Sequence, residues 1–284
     1  MYVSRYLDEL MNLQMFIQEA LAEDIGREDV TSRSIIPESL AGKARIFAKQ
    51  DLVVCGHEPA SLVFEAMGCT YKKQIEEGST AFSGQDIALI EGSYRNLLSA
   101  ERLALNFLMK LSGIATHTRK TIQGINSTIR IVDTRKTTPL LRSLERGAVR
   151  TGGGHNHRFA LYDGILIKEN HIMVAGSVQE AINRAKKHAH HLLKIEIEVE
   201  TIEQLKEALE HGADVVLLDN MTNEQLTEAV HIAKANHPHV LLEASGNMNK
   251  ERIESIQNLG IDIISMGGLI HQATWADLSM RIVL

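Results

Sequence analysis

The chain has 284 residues, 44% apolar and 23% charged, an ordinary globular composition that excludes a disordered, collagen-like or coiled-coil protein. Thirty Lys and Arg against 36 Asp and Glu leave a formal charge of -6, and aromatics make up only 4%. The basic footprint of a duplex binder and the stacking platform of a single-strand reader are both missing.

No run approaches the roughly 20 apolar residues needed to cross a bilayer, and Arg5, Asp8 and Glu9 stand where a secretory signal would be apolar. Cys55 and Cys69 lack CxxC spacing and fit two small buried residues in a reducing compartment. The expectation is a cytoplasmic protein with neither nucleic-acid nor membrane partners.

In chain order, helical periodicity over residues 11–23 leads into a polar stretch, 23–32, read as a loop. Strand-like runs follow at 43–54 and 86–91, and a long helix starts near Arg95. These define an α+β domain of about 105 residues, the usual domain size. From residue 129 one unit repeats: a short β-branched run, a polar cluster, then an amphipathic helix. The runs are 129–132, 164–167, 193–199, 215–218, 240–242 and 261–264, and six strands alternating with helices predict parallel βαβ units. Ser177 with Glu180, Thr201 with Gln204 and Thr222 with Gln225 match capping boxes at three helix starts.

Charged and glycine residues collect where these strands end, and in an α/β barrel that rim holds the active site. Glu243-Ala244-Ser245-Gly246-Asn247 and Met266-Gly267-Gly268 join the last two strands to helices, where backbone amides can approach a phosphate. Glu196, Glu198 and Glu200 alternate with apolar residues, which puts three carboxylates on one strand face. With Asp219, Glu198 offers oxygen ligands of the kind Mg²⁺ prefers, whereas Glu196 and Glu200 are expected in structural pairs with neighbouring cations.

A cationic set, Arg135, Lys136, Arg158 and Lys168, points to a polyanionic substrate. Arg142, Arg146 and Arg150 lie one turn apart and read as a helix face in water. His155 and His157 have no third ligand at suitable spacing, so no zinc site is expected. His188, His190 and His191 read as surface.

These motifs resemble the quinolinate phosphoribosyltransferase family. The matching runs are Ala100-Glu101-Arg102 with residues 111–116, Asp133-Thr134-Arg135-Lys136-Thr137, residues 150–158, Lys168-Glu169-Asn170-His171, Leu217-Leu218-Asp219-Asn220, Glu243-Ala244-Ser245-Gly246 and Gly267-Gly268. The stretch 23–32 is similar to the family's N-terminal signature.

The resemblance implies an incomplete α/β barrel, residues 106–272, with an N-terminal α/β sandwich, residues 1–105, joined by the tail 273–284. It implies a homodimer with shared active sites, or a hexamer, and Mg²⁺ as cofactor. The reaction would join quinolinate and 5-phosphoribosyl-1-pyrophosphate to give nicotinate mononucleotide, pyrophosphate and carbon dioxide. Arg102, Arg135, His157, Arg158 and Lys168 match quinolinate-binding positions, with Thr134 and Lys136 beside them. Glu198 and Asp219 match the acidic positions near ribose and Mg²⁺. Ser245, Gly246, Asn247, Gly267, Gly268, Leu269 and His271 match the phosphate loops. Lys136, Lys168, Glu198 and Asp219 form the implied catalytic group. The alternatives are a paralogous phosphoribosyltransferase on the same scaffold, such as one acting on nicotinate, and a non-catalytic phosphate-ligand-binding barrel. Four cations exceed what a monocarboxylate needs, and a sensor would not need the acidic pair.

Overall fold

The computed structural model describes residues 2–126 and 128–283, with side chains from Leu13 onward in the first helix. The side chains of Arg5, Asp8 and Glu9 therefore lie outside the described residues. Two compact units are present, residues 1–117 with 273–284 and residues 118–272.

In the first unit, α1 (Tyr2–Ile25) and α2 (Val30–Ile35) precede β1 (Ala41–Ala48), β2 (Leu52–Val53), α3 (His57–Ala66), β3 (Thr70–Lys73), β4 (Thr80–Ala81) and β5 (Asp86–Ser93). The stretch 23–32 is therefore not one loop. Gly26, at φ +60°, ends α1 in a left-handed turn, and the Asp29 carboxylate accepts the Ser32 amide at 2.9 Å to start α2. The run 43–54 is likewise broken, into β1 and β2. Alternation along β1 buries Ala44, Ile46 and Ala48, and the antiparallel order is β12-β1-β5-β3, where β12 is Leu278–Val283.

The long helix α4 (Tyr94–Ile122) runs unbroken, so the division at 117/118 falls inside it rather than at residue 105. The second unit then alternates β6 (Arg130–Val132), α5 (Arg142–Gly152), β7 (Ile165–Ile167), α6 (Glu169–Ala175), α7 (Val178–His188), β8 (Ile195–Val199), α8 (Ile202–Glu210), β9 (Val215–Asp219), α9 (Asn223–Asn236), β10 (Leu241–Ser245), α10 (Lys250–Ile256), β11 (Ile263–Ser265) and α11 (Gly268–His271). All ladders in this unit are parallel, in the order β6-β11-β10-β9-β8-β7.

Strands β6 and β7 form the two ends of that order and do not pair, so the barrel is incomplete. Part of the gap is taken by His155, which bridges Val132 in parallel. The central strands are buried on both faces, as a sheet covered by helices demands: Val216, Leu218, Leu242 and Ala244 are fully enclosed on one face, and Val215, Leu217 and Glu243 are buried on the other. Each Val or Leu so buried contributes about 1.5 to 3 kcal/mol.

Helix starts follow the sequence signals. Ser177 and Thr201 accept the amides of Glu180 and Gln204, and Thr222 with Gln225 completes a reciprocal box. Two of the expected boxes are only half formed. Glu180 turns instead to Arg184, and the Gln204 side chain accepts from the Glu200 amide, one residue before the cap.

Candidate active site

A cavity of about 650 Å³ opens at the C-terminal ends of the barrel strands. Thr134, Arg135 and Lys136 follow β6, Lys168 follows β7, and Glu198 stands on β8. Asp219 ends β9 with Asn220 after it, Ser245 ends β10 with Gly246 and Asn247 after it, and Gly267, Gly268 and His271 lie past β11. His157 and Arg158 enter from the strip between α5 and β7. Distant segments meet here because parallel strands all end on one rim.

Arg102 and Leu269 are placed differently from the rest. Arg102 is exposed on α4 in the first unit and is not among the residues lining the cavity. Leu269 is fully buried in α11, its amide held by the Met266 carbonyl at 3.3 Å.

On the acidic side, β8 and β9 pair so that Glu198 stands opposite Leu217, two residues before Asp219. Burial raises the Asp219 carboxyl above its ordinary value, and the Glu198 charge raises it further, against Lys168 and Lys136. Lys168 Nζ lies 2.5 Å from Glu198 Oε2, and Asn220 Nδ2 donates to Asp219 Oδ2 at 2.6 Å. Two carboxylates that repel one another are suited to a cation, and their oxygens are the donors Mg²⁺ takes.

On the cationic side, burial and then the like charge of Arg135 lower the Arg158 guanidinium. That end of the cavity is positive enough to attract an anion. Arg158 Nη1 also donates to the Gly164 carbonyl at 2.8 Å, which braces its stem.

Glycine is required in the phosphate-type loop. Gly246 has φ +95°, and a Cβ there would stand 2.2 Å from Asn220 Oδ1 and 2.8 Å from its backbone nitrogen. Asn220 and Asn247 are left-handed as well, at φ 54° and 46°.

Three expectations are corrected. Arg142, Arg146 and Arg150 do not form a solvated face. Arg146 is buried, its Nε 3.1 Å from Asp133 Oδ2, and its fork also reaches the His157 carbonyl. Arg142 donates to the Phe159 carbonyl and Thr137, and Arg150, although exposed, bonds Asn156. The i, i+4 spacing is the same for a wet face and for a face that grips a neighbouring strip.

The second correction concerns His157, which does meet two further potential ligands. Glu196 from β8 and Glu243 from β10 place carboxylate oxygens 3.2 and 3.4 Å from its Nε2. The Arg158 amide, however, donates to Nδ1 at 2.7 Å, which puts the ring proton on Nε2 and makes that nitrogen a donor rather than a ligand. Burial lowers the affinity of the His157 ring for a second proton, and its hydrogen bonds to Glu196 and Glu243 raise it. Burial likewise raises Glu196. Third, Glu196 pairs with the His157 ring instead of a neighbouring cation, and Glu200 lies exposed beyond the strand, with no ion pair among the described residues.

Sequence reasoning missed Glu243, Asp133, Asn220, Leu166 and Leu217. Asp133 Oδ1 accepts the His157 amide at 3.0 Å, and Leu166 and Leu217 give the cavity an apolar wall. Glu243 carried a signal, since it is two residues before Ser245 in a strand and so shares its face.

Fold and cavity together define an α/β barrel whose rim is built for a polyanion. The model of the quinolinate phosphoribosyl transferase C-terminal domain matches residues 114–281, and that of the N-terminal domain matches residues 29–112. A probable carboxylating nicotinate-nucleotide pyrophosphorylase of Bacillus subtilis is 41% identical over 279 residues, covering 96% of this chain and 94% of that one. One from Methanocaldococcus jannaschii is 41% identical over 275 residues, covering 94% and 96%. The crystal structure of NadC from Streptococcus pyogenes superposes with a TM-score of 0.91 at 38% identity, covering 96% of this chain and 98% of that one. The chain belongs to the quinolinate phosphoribosyltransferase family.

Proposed function

We propose that this cavity transfers the phosphoribosyl group of 5-phosphoribosyl-1-pyrophosphate to the ring nitrogen of quinolinate and releases one ring carboxylate as carbon dioxide. The observation that carries it is the single cavity in which Arg135, Lys136, Arg158 and Lys168 stand with the Glu198 and Asp219 pair and the two glycine loops.

Quinolinate brings two adjacent carboxylates, which the cationic set neutralises, Arg158 by a two-pronged fork. Leu166 and Leu217 receive the flat ring. Pyrophosphate leaves ribose C1 with its bonding electrons, and the ring nitrogen forms the new bond to C1. Positive charge develops on the ribose, and Glu198 and Asp219 stabilise it electrostatically. The ribosylated nitrogen is now cationic. It draws in the electron pair left when the neighbouring carboxylate departs as carbon dioxide, and a proton then adds to that carbon. No covalent nucleophile is required, and positioning supplies most of the acceleration.

Glu198 and Asp219 would hold Mg²⁺, which supplies charge neutralisation for the diphosphate when bound. Ser245, Gly246, Asn247, Gly267, Gly268 and His271 receive phosphate. Arg102, exposed on α4, is read as a donation to the site of a second subunit, giving a homodimer with shared active sites. A cytoplasmic location accords with two buried cysteines that form no disulfide and with the absence, among the described residues, of any helix long and apolar enough to cross a membrane.

The test is incubation of the purified protein with quinolinate, 5-phosphoribosyl-1-pyrophosphate and Mg²⁺. Nicotinate mononucleotide and carbon dioxide should appear together. Product formed from nicotinate instead of quinolinate, or no product at all, would overturn the reading.

A further inference from the structure

Every polar atom of His157 is taken by the protein. Its amide donates to Asp133 Oδ1 and its carbonyl accepts from Arg146. Nε2 faces Glu196 and Glu243, and Nδ1 accepts the Arg158 amide at 2.7 Å. The ring lines the cavity yet keeps no free nitrogen with which to hold a substrate carboxylate. The group this strip offers to an anion is the guanidinium of Arg158.

We propose that Glu243, together with Glu196, is a positioning residue for the dicarboxylate end of the cavity. The two carboxylates fix the His157 ring, and the ring, through Nδ1, fixes the peptide that carries Arg158. The proposal rests on the quinolinate reading above and assigns roles that reading leaves open.

Charge makes the arrangement informative. Two carboxylates beside a pocket for a dianion oppose binding on Coulomb's law alone, so their presence calls for a geometric reason. Their burial is nearly complete, with 1% of the Glu243 side chain and 10% of the Glu196 side chain exposed. In each, Oε1 is buried without a hydrogen-bond partner, while Oε2 faces the His157 ring and the two carboxyls also bear on one another.

The support is also asymmetric in rigidity. Glu196 and Glu243 sit on β8 and β10, the two strands that flank β9 in the middle of the sheet. The strip around His157 belongs to no strand, and among the described residues its backbone pairs with the sheet only at the isolated bridge of His155 to Val132. Side chains, not a ladder, must therefore set its position. With its amide held by the ring and its guanidinium by the Gly164 carbonyl, Arg158 is fixed at both ends.

The probes are phthalate, an unreactive aromatic with two adjacent carboxylates, and benzoate, which has one. In Glu243→Leu the acceptor is gone, and phthalate affinity measured by calorimetry should fall about tenfold or more, the worth of a charge-assisted hydrogen bond. Benzoate should fall by much less, and affinity for 5-phosphoribosyl-1-pyrophosphate should stay within about twofold. Glu243→Gln keeps an oxygen for the Nε2 proton and should restore most of the phthalate affinity. A merely structural role would lower the melting temperature and leave the phthalate-to-benzoate ratio of the folded protein alone. An unchanged ratio in folded Glu243→Leu, or a Gln variant as poor as the Leu variant, would overturn the proposal.

The wild-type protein gives a second measurement that does not depend on a variant folding. With ¹⁵N-labelled histidine, Nδ1 of His157 should remain an unprotonated acceptor when phthalate binds, while the Arg158 guanidinium signals shift. A His157 nitrogen that donates to phthalate would overturn the proposal and leave the quinolinate reading standing. A wild-type protein that binds no phthalate would overturn both.

Discussion

Arg146 Nε lies 3.1 Å from Asp133 Oδ2, with 4% and 1% of the two side chains exposed, and the same aspartate accepts the His157 amide. A buried ion pair thus ties α5 to the end of β6 and to the strip that carries His157 and Arg158. Burial raises the Asp133 carboxyl, and Arg146 is foremost among the groups that pull it back. Removing one partner of such a pair leaves a buried charge uncompensated.

Arg146→Ala should therefore lose about 3 to 5 kcal/mol of stability, read from urea unfolding. Arg146→Lys should lose less, because an ammonium can still reach Asp133 but cannot also serve the His157 carbonyl. A loss in Arg146→Ala no larger than about 0.5 kcal/mol, the scale of an exposed substitution, would show that the pair is not buried in solution.

Why this pair escaped the sequence reading is instructive. Short apolar runs such as residues 215–218 and caps such as Thr222 with Gln225 depend on neighbours a few residues away, so their local pattern carries the information. The rim was legible for the same reason, since each strand announces its own end. Arg146 shows the limit, because one spacing serves a wet face and a gripping face. His157 shows it more plainly: its partners Glu196 and Glu243 are about 40 and 85 residues away, brought close only by strand order. The break of residues 23–32 into two helix ends turned on Gly26 and Asp29, which a polar composition hides.

Asp219→Asn removes a carboxylate from the pair read as the Mg²⁺ site while keeping its size. Affinity for 5-phosphoribosyl-1-pyrophosphate in the presence of Mg²⁺ should drop by at least about tenfold, the loss of one charged interaction. Phthalate affinity should hold nearly constant, because the cationic end is untouched. Calorimetry on both ligands separates the ends of the cavity, and equal losses would indicate a folding defect instead of a lost ligand.

Arg102 decides whether sites are shared. It is exposed on α4 and does not line the cavity, so the reading assigns it to a partner subunit's barrel. In a two-fold dimer the loan is reciprocal, because an isologous interface repeats every contact. Arg102→Ala and Lys136→Ala proteins, each expected to be nearly inactive alone, are unfolded together and refolded as a mixture. A hybrid dimer pairs one intact barrel with one intact Arg102 from the other chain, giving one complete site and one doubly damaged site. Random equal mixing makes about half of the dimers hybrid, so roughly a quarter of wild-type activity should return. If Arg102 serves its own chain, every site in the mixture lacks a group and no activity returns. A mixture that stays inactive while native mass spectrometry shows hybrid dimers would rule out the shared site, and recovery near a quarter would fix Arg102 as the residue each subunit lends.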